Sequence, residues 1–238
     1  MRIALISDIH ANEVAFEAVI KDIEQAAADQ IVCLGDIATL GPLPCAVVQI
    51  LRDLNCTCIL GNHDAFLLDP ELIHTYTEAP IIVEAVAWCR SQLSGEDLDF
   101  IRTFQPYIEF DLNKEYRLLY YHGSPRNHME YILSTTPSDR LDQILGSTTA
   151  TVMIGGHTHI QMLRQHKGNL IVNPGSVGLP FKEFVFNRQP EILEHSEYAI
   201  IDIEKKNVNV LFRRVSFSQK AFRKTIENCQ GPIRHLFP

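Results

Sequence analysis

The sequence predicts an α/β protein whose core is two β-sheets packed face to face, with helices on the outer surfaces. The first 64 residues alternate apolar runs with amphipathic stretches in the order βαβαβ, the pattern of a parallel sheet covered by helices. The second half is mainly strand-like runs that read as antiparallel. Two sheets with helices outside is the economical way to bury both sets of strands. Several strands also end in Asp, Asn or His, at the edge where open α/β sheets bind ligands.

The elements follow in order. A strand over 2–7 is mostly apolar, as in a strand buried on both faces. A helix over 13–28 carries Val14, Ala18, Val19, Ile23 and Ala26 on one stripe. A strand at 31–34 ends in Gly35-Asp36, and Gly41-Pro42-Leu43-Pro44 opens a helix over 44–54. A strand at 57–60 ends in Gly61-Asn62-His63-Asp64. The segment 65–103 reads as helical, with Pro80 at a first helical position and Ser94 with Asp97 as a capping box. Strands 107–112 and 116–122 pair across Asn113-Lys114-Glu115, and a helix spans 137–145. Strand 150–154 ends in Gly155-Gly156-His157-Thr158-His159; strands near 160–166, 169–173, 197–204 and 207–215 follow, then a helix near 218–229. No repeat, linker or boundary interrupts this series, so 1–238 reads as one domain.

Lys and Arg number 21 and Asp and Glu 29, a net charge of −8, which disfavours non-specific nucleic-acid binding. Residues 201–238 run the other way at +5, which reads as a solvated hairpin and helix face. No apolar run approaches the roughly 20 residues of a membrane span, and the first strand is too short for a signal peptide. A soluble, cytoplasmic protein without membrane contact is expected. Its six cysteines then read as free thiols, with Cys33 and Cys58 in apolar strands and Cys56-x-Cys58 lacking zinc-ribbon or redox spacing.

Five of the ten histidines sit in polar loops directly after apolar strands: His10, His63, His122, His157 and His159. Asp8, Asp36, Asn62 and Asp64 share those loops. Residues i and i+2 of an extended chain point the same way, so Asp8 with His10, and His157 with His159, each offer two donors on one side. Carboxylate, imidazole and carbonyl donors suit two divalent ions of the Mn, Fe, Zn, Ni or Co type. Two such ions facing two carboxylates keep net positive charge, a local anion trap that fits a phosphoryl group.

The series Asp-x-His, Gly-Asp, Gly-Asn-His-Asp, His, Gly-His-x-His, running from residue 8 to residue 159, resembles the calcineurin-like metallophosphoesterase superfamily. Gly41-Pro42, His122-Gly123-Ser124-Pro125-Arg126 and Asn173-Pro174-Gly175-Ser176-Val177-Gly178 resemble its small single-domain bacterial and archaeal branch. The resemblance implies a four-layer αββα fold. It implies that Asp8, His10 and His159 hold one metal and that Asn62, His122 and His157 hold the other. Asp36 would bridge them, with a water between the ions as nucleophile. His63 would stand at the leaving group as general acid or phosphoryl donor.

Protein phosphatases of that superfamily carry Asp-Arg three and four residues after the Gly-Asp aspartate; here Thr39 and Leu40 stand there, which counts against phosphoprotein substrates. Asp64 is expected either to support His63 electrostatically or to cap the following helix. Arg126 is a candidate phosphate contact and Asn12 a candidate substrate contact, with a solvated loop and a helix N-cap as their alternatives. The loop 178–196, with Phe181, Phe184 and Phe186, reads as core packing, a substrate-shaping lid or a dimer contact. The resulting expectation is a metal-dependent phosphodiesterase or phosphatase acting on a small phosphate ester. A non-catalytic scaffold for protein partners and a nuclease are the alternatives, and a homo-oligomer is left open.

Overall fold

A computed structural model describes all residues except 113–115, 149, 187, 205–206 and 238. One sheet is built from β1 (Arg2–Ile6), β2 (Gln30–Cys33), β3 (Thr57–Cys58), β9 (His195–Glu204) and β10 (Asn207–Ser216). Its order is β10-β9-β1-β2-β3, with β1, β2 and β3 parallel. The other sheet holds β4 (Tyr107–Asp111), β5 (Arg117–Tyr121), β6 (Val152–Ile154), β7 (Gln161–His166) and β8 (Asn169–Pro174), in the order β4-β5-β6-β8-β7. The helices are α1 (Glu13–Gln25), α2 (Pro44–Leu54), α3 (Asn62–Leu68), α4 (Pro80–Gln92), α5 (Gly95–Arg102), α6 (Ser138–Leu145) and α7 (Gln219–Asn228). Among the described residues, no helix is long and apolar enough to cross a membrane.

Strand alternation sorts the core into layers. Ile3 and Leu5 of β1 meet Leu118, Tyr120, Val152 and Ile154 of the opposite sheet. Ala4 and Ile6 point the other way, into a cluster with Phe16, Val19, Val47 and Leu51 of α1 and α2. Leu119 and Tyr121, the odd positions of β5, pack on Leu141 and Ile144 of α6. Helix, sheet, sheet, helix is therefore the layer order, and β1, β2, β3, β5 and β6 each run into a segment that carries one of the polar motifs.

Three sequence expectations change. The second sheet is mixed: β6 is parallel to both β5 and β8. The α6 crossover returns the chain in the same direction, and β7 moves to the outer edge, where it pairs with β8 alone among the described residues. On α1 the buried residues are Ala15, Phe16, Val19 and Ile23, a stripe turned slightly from the one predicted. Asn62, His63 and Asp64, expected in a loop, form the first turn of α3. The predicted turn Asn113-Lys114-Glu115 lies outside the described residues, while its flanking strands β4 and β5 do pair.

Candidate metal centre

Asp8, His10 and His159 bring donor atoms within 4.8 Å of one another, and Asp36, His122 and His157 do the same. All six are buried. His10 Nε2 lies 3.1 Å from His159 Nε2, which lies 3.2 Å from Asp8 Oδ1. Donors about 2.1 Å from a common ion sit roughly 3–3.5 Å apart, so this is the spacing of ligands around one ion. In the second group Asn62 Oδ1 is 3.1 Å from His122 Nε2. Asp36 Oδ2 stands between the groups, 3.4 Å from His122 Nε2 and 3.8 Å from His10 Nε2.

Each donor is aimed by a second contact. His122 Nδ1–H donates to Leu34 O and His159 Nδ1–H to Leu179 O, both at 2.6 Å, which leaves each Nε2 facing the site. Thr39 Oγ1 is 3.4 Å from His10 Nδ1, so the residue that replaces the phosphatase Asp touches a donor imidazole instead. Asp36 Oδ1 accepts the His63 N–H at 2.9 Å, and Asp8 Oδ2 accepts the His157 N–H at 3.1 Å, so each carboxylate keeps its other oxygen for the site. Ser176 Oγ–H donates to Asp8 O, and Asn173 Nδ2–H donates to Gly156 O, which gives the Asn-Pro-Gly-Ser motif a bracing role.

The backbone corrects the reasoning from extended chain. Asp8, His10, Ala11, Asp36, His157 and His159 all have φ between 47° and 69°. Left-handed backbone at non-glycine residues costs energy, and it concentrates here at the turns that converge the donors. Gly61 and Gly156 fit where a Cβ would run into the Asp36 carboxylate and Ser7 Oγ respectively.

Burial opposes charge on every one of these groups. Asp36 and Asp8 nevertheless raise His122 to about 9, while burial and His122 hold His157 down at about 3. Against the cost of burial, His159 lowers Asp8 to about 2. His157 Nε2 is buried without a hydrogen bond, and Asp8 Oδ1 faces the site with the His159 imidazole 3.2 Å away. Unpaired buried acceptors cost about 1–3 kcal/mol each, so a donor set of this kind fits cations.

The remaining candidates have structural partners. Asp64 Oδ2 accepts the N–H groups of Asp36 and Gly61, and Oδ1 accepts that of Ile37. Asp64 therefore caps α3 and ties the Asp36 loop to it. Asn12 caps α1 by accepting from Ala15 N–H and donates to Gly178 O. Arg126, a candidate phosphate contact with a loop arginine as its alternative, is held by Glu130 and by Gln143 O. Its guanidinium braces the loop after β5, with Nε 2.9 Å from Glu130 Oε2.

Sequence reasoning missed Tyr76 and Tyr131. The Tyr131 ring stacks on His157 at 4.6 Å and 16°, and Tyr76 meets His63 edge-on at 6.0 Å. Single tyrosines in loops carry no spacing signal that would have found them. Phe181, singled out only within its phenylalanine group, stacks on His159 at 4.2 Å.

Residues 1–206 match the calcineurin-like phosphoesterase superfamily domain. An uncharacterized protein of Methanocaldococcus jannaschii is 30% identical over 235 residues, covering 95% of this chain and 92% of that protein. The crystal structure of a metallophosphoesterase from Sphaerobacter thermophilus is similar with a TM-score of 0.77 and 26% identity, covering 100% of this chain and 98% of that one. A hypothetical protein from Pyrococcus horikoshii shares the fold at a TM-score of 0.80 and 19% identity, over 99% of this chain and 97% of that one. The chain belongs to the calcineurin-like phosphoesterase superfamily and is a phosphoric ester hydrolase.

Proposed function

We propose that the protein hydrolyses small phosphate esters, diesters ahead of phosphoproteins, at a two-ion centre. The observation that carries this reading is Asp36 Oδ2, a buried carboxylate oxygen within 3.8 Å of an imidazole from each donor group. Asp8, His10 and His159 hold one ion; Asn62, His122 and His157 hold the other; Asp36 serves both. Two divalent ions, Mn or a similar metal, supply charge neutralisation for the phosphoryl oxygens and acidify a water.

The chain's own residues do the rest. His63 is buried, its backbone fixed by Asp36 and its ring packed edge-on against His10 at 5.2 Å. It stands at the departing ester oxygen and supplies that atom with a proton. Water adds its oxygen to phosphorus and gives up a proton to solvent, the ester P–O bond breaks, and the leaving oxygen keeps the bonding pair and takes the His63 proton, giving an alcohol and a phosphate; His63 regains a proton from solvent. Thr39 and Leu40 offer no arginine clamp for a doubly charged phosphoprotein group. A singly charged diester needs none.

Aryl monoester, aryl diester and phosphopeptide, compared at equal manganese loading, test the reading. The diester is expected to be hydrolysed fastest and the phosphopeptide slowest. Preference for the phosphopeptide overturns the substrate assignment, and turnover unaffected by chelation overturns the metal centre.

A further inference from the structure

We infer that Tyr131, Phe184 and Phe186, with Tyr76, form a subsite that binds a planar aromatic substituent of the phosphate ester. The inference deepens the proposed phosphoesterase activity and rests on it. The rings come from three separate parts of the chain: the end of the 3₁₀ turn Pro70–Thr75, the connection between β5 and α6, and the loop between β8 and β9. Tyr131 and Tyr76 reach the candidate metal centre, and Phe184 and Phe186 pack on Tyr131. Tyr131 lies flat on His157, Tyr76 lies 6.3 Å from the same imidazole, and the Tyr76 and Tyr131 hydroxyls are 3.5 Å apart.

Packing does not explain the cluster. Phe186 is 67% exposed and Tyr76 37%. Phe186 meets Tyr131 at 88° and Phe184 at 82°, and Phe184 meets Tyr131 at 60°. An edge-to-face contact covers one face of a ring, and the exposed Phe186 ring keeps surface open to a further ring. The loop's cations are already engaged, Lys182 by Glu191 and Arg188 by Glu183, so rings and not charges are what this wall presents to a substrate. Contiguous exposed aromatic surface beside a polar reaction centre marks a ligand contact. The ring can belong to a simple aryl group or to a nucleobase, since both offer a π-face.

The test is equilibrium calorimetry on the full chain loaded with manganese, using ligands that cannot be hydrolysed: methylphosphonate, phenylphosphonate and the methylene phosphonate analogue of adenosine 5′-monophosphate. Wild type is expected to bind at least one of the ring-bearing ligands about tenfold or more tighter than methylphosphonate. The tighter of the two identifies an aryl or a nucleobase source. Phe186→Ala, and the double variant Phe184→Ala/Phe186→Ala, should cut that preference to below about threefold while methylphosphonate affinity and metal content stay at wild-type values. Equal binding of all three ligands by wild type, or a preference that survives the double variant, overturns the subsite alone. Binding of none of the three ligands also overturns the subsite, whereas failure of the manganese-loaded protein to hydrolyse any aryl phosphate ester overturns the phosphoesterase reading beneath it.

Discussion

Asp64 accepts the backbone N–H of Asp36 at 2.8 Å, so a helix-capping carboxylate fixes the loop that carries Asp36, whose Oδ2 lies within 3.8 Å of both His10 and His122. The same side chain accepts two further buried N–H groups, from Gly61 and Ile37. Burial and the neighbouring Asp36 push Asp64 up to about 7, and the three donors hold it in place.

Asp64→Ala orphans three buried donors and should lower stability by about 2–4 kcal/mol. Thermal denaturation should show a loss of at least about 5 °C. Asp64→Asn, which retains one acceptor oxygen, should lose less. An unchanged melting temperature with a displaced pH–rate profile would instead assign Asp64 to the electrostatic support of His63.

His63→Ala should lower kcat by roughly 10²–10⁴-fold, the range of a positioned acid or donor. Metal content by elemental analysis should remain at the wild-type level. Loss of an ion in this variant would make His63 a ligand.

Arg126→Ala should leave KM for small esters within about twofold of wild type, because its guanidinium is already bound to Glu130 and Gln143 O. Any loss should appear instead as a small drop in melting temperature, as expected for a pair this exposed. A tenfold rise in KM would restore Arg126 to the substrate site.

Asp22 accepts hydrogen bonds from Arg213 and Tyr198 across α1 and the β9–β10 hairpin. Arg213 holds its carboxyl below the ordinary value of 3.8. A depressed folded-state pKa gives stability that is present above about pH 4 and lost as pH falls through the folded value. Asp22→Asn should cost about 1–2 kcal/mol at pH 7 and progressively less below pH 4 in denaturant titrations. A deficit that stays constant down to pH 2 would contradict the assignment.

The clustering of the Asp and His residues of the candidate site was legible in the sequence because each follows an apolar strand, and strand ends in such sheets converge on one edge. Convergence itself was not legible. It depends on left-handed backbone at Asp8, His10, His157 and His159, which no residue spacing encodes. The mixed second sheet was hidden because β7 and β8 read as a simple hairpin, while the pairing of β8 with β6 is set by packing at long range. Arg126 looked free because its partner Glu130 lies four residues on in a loop, where the helical i,i+4 rule does not apply. Tyr131 and Tyr76 reach the site only through the tertiary fold.

The central claim is a two-ion centre joined by Asp36, and metal titration of the stripped protein against turnover of an aryl diester tests it most directly. Wild-type activity is expected to rise until about two ions are bound per chain, and Asp36→Asn to lower affinity at both sites and abolish turnover. Full activity at one ion per chain, or an Asp36→Asn variant that retains two ions and wild-type turnover, would contradict it.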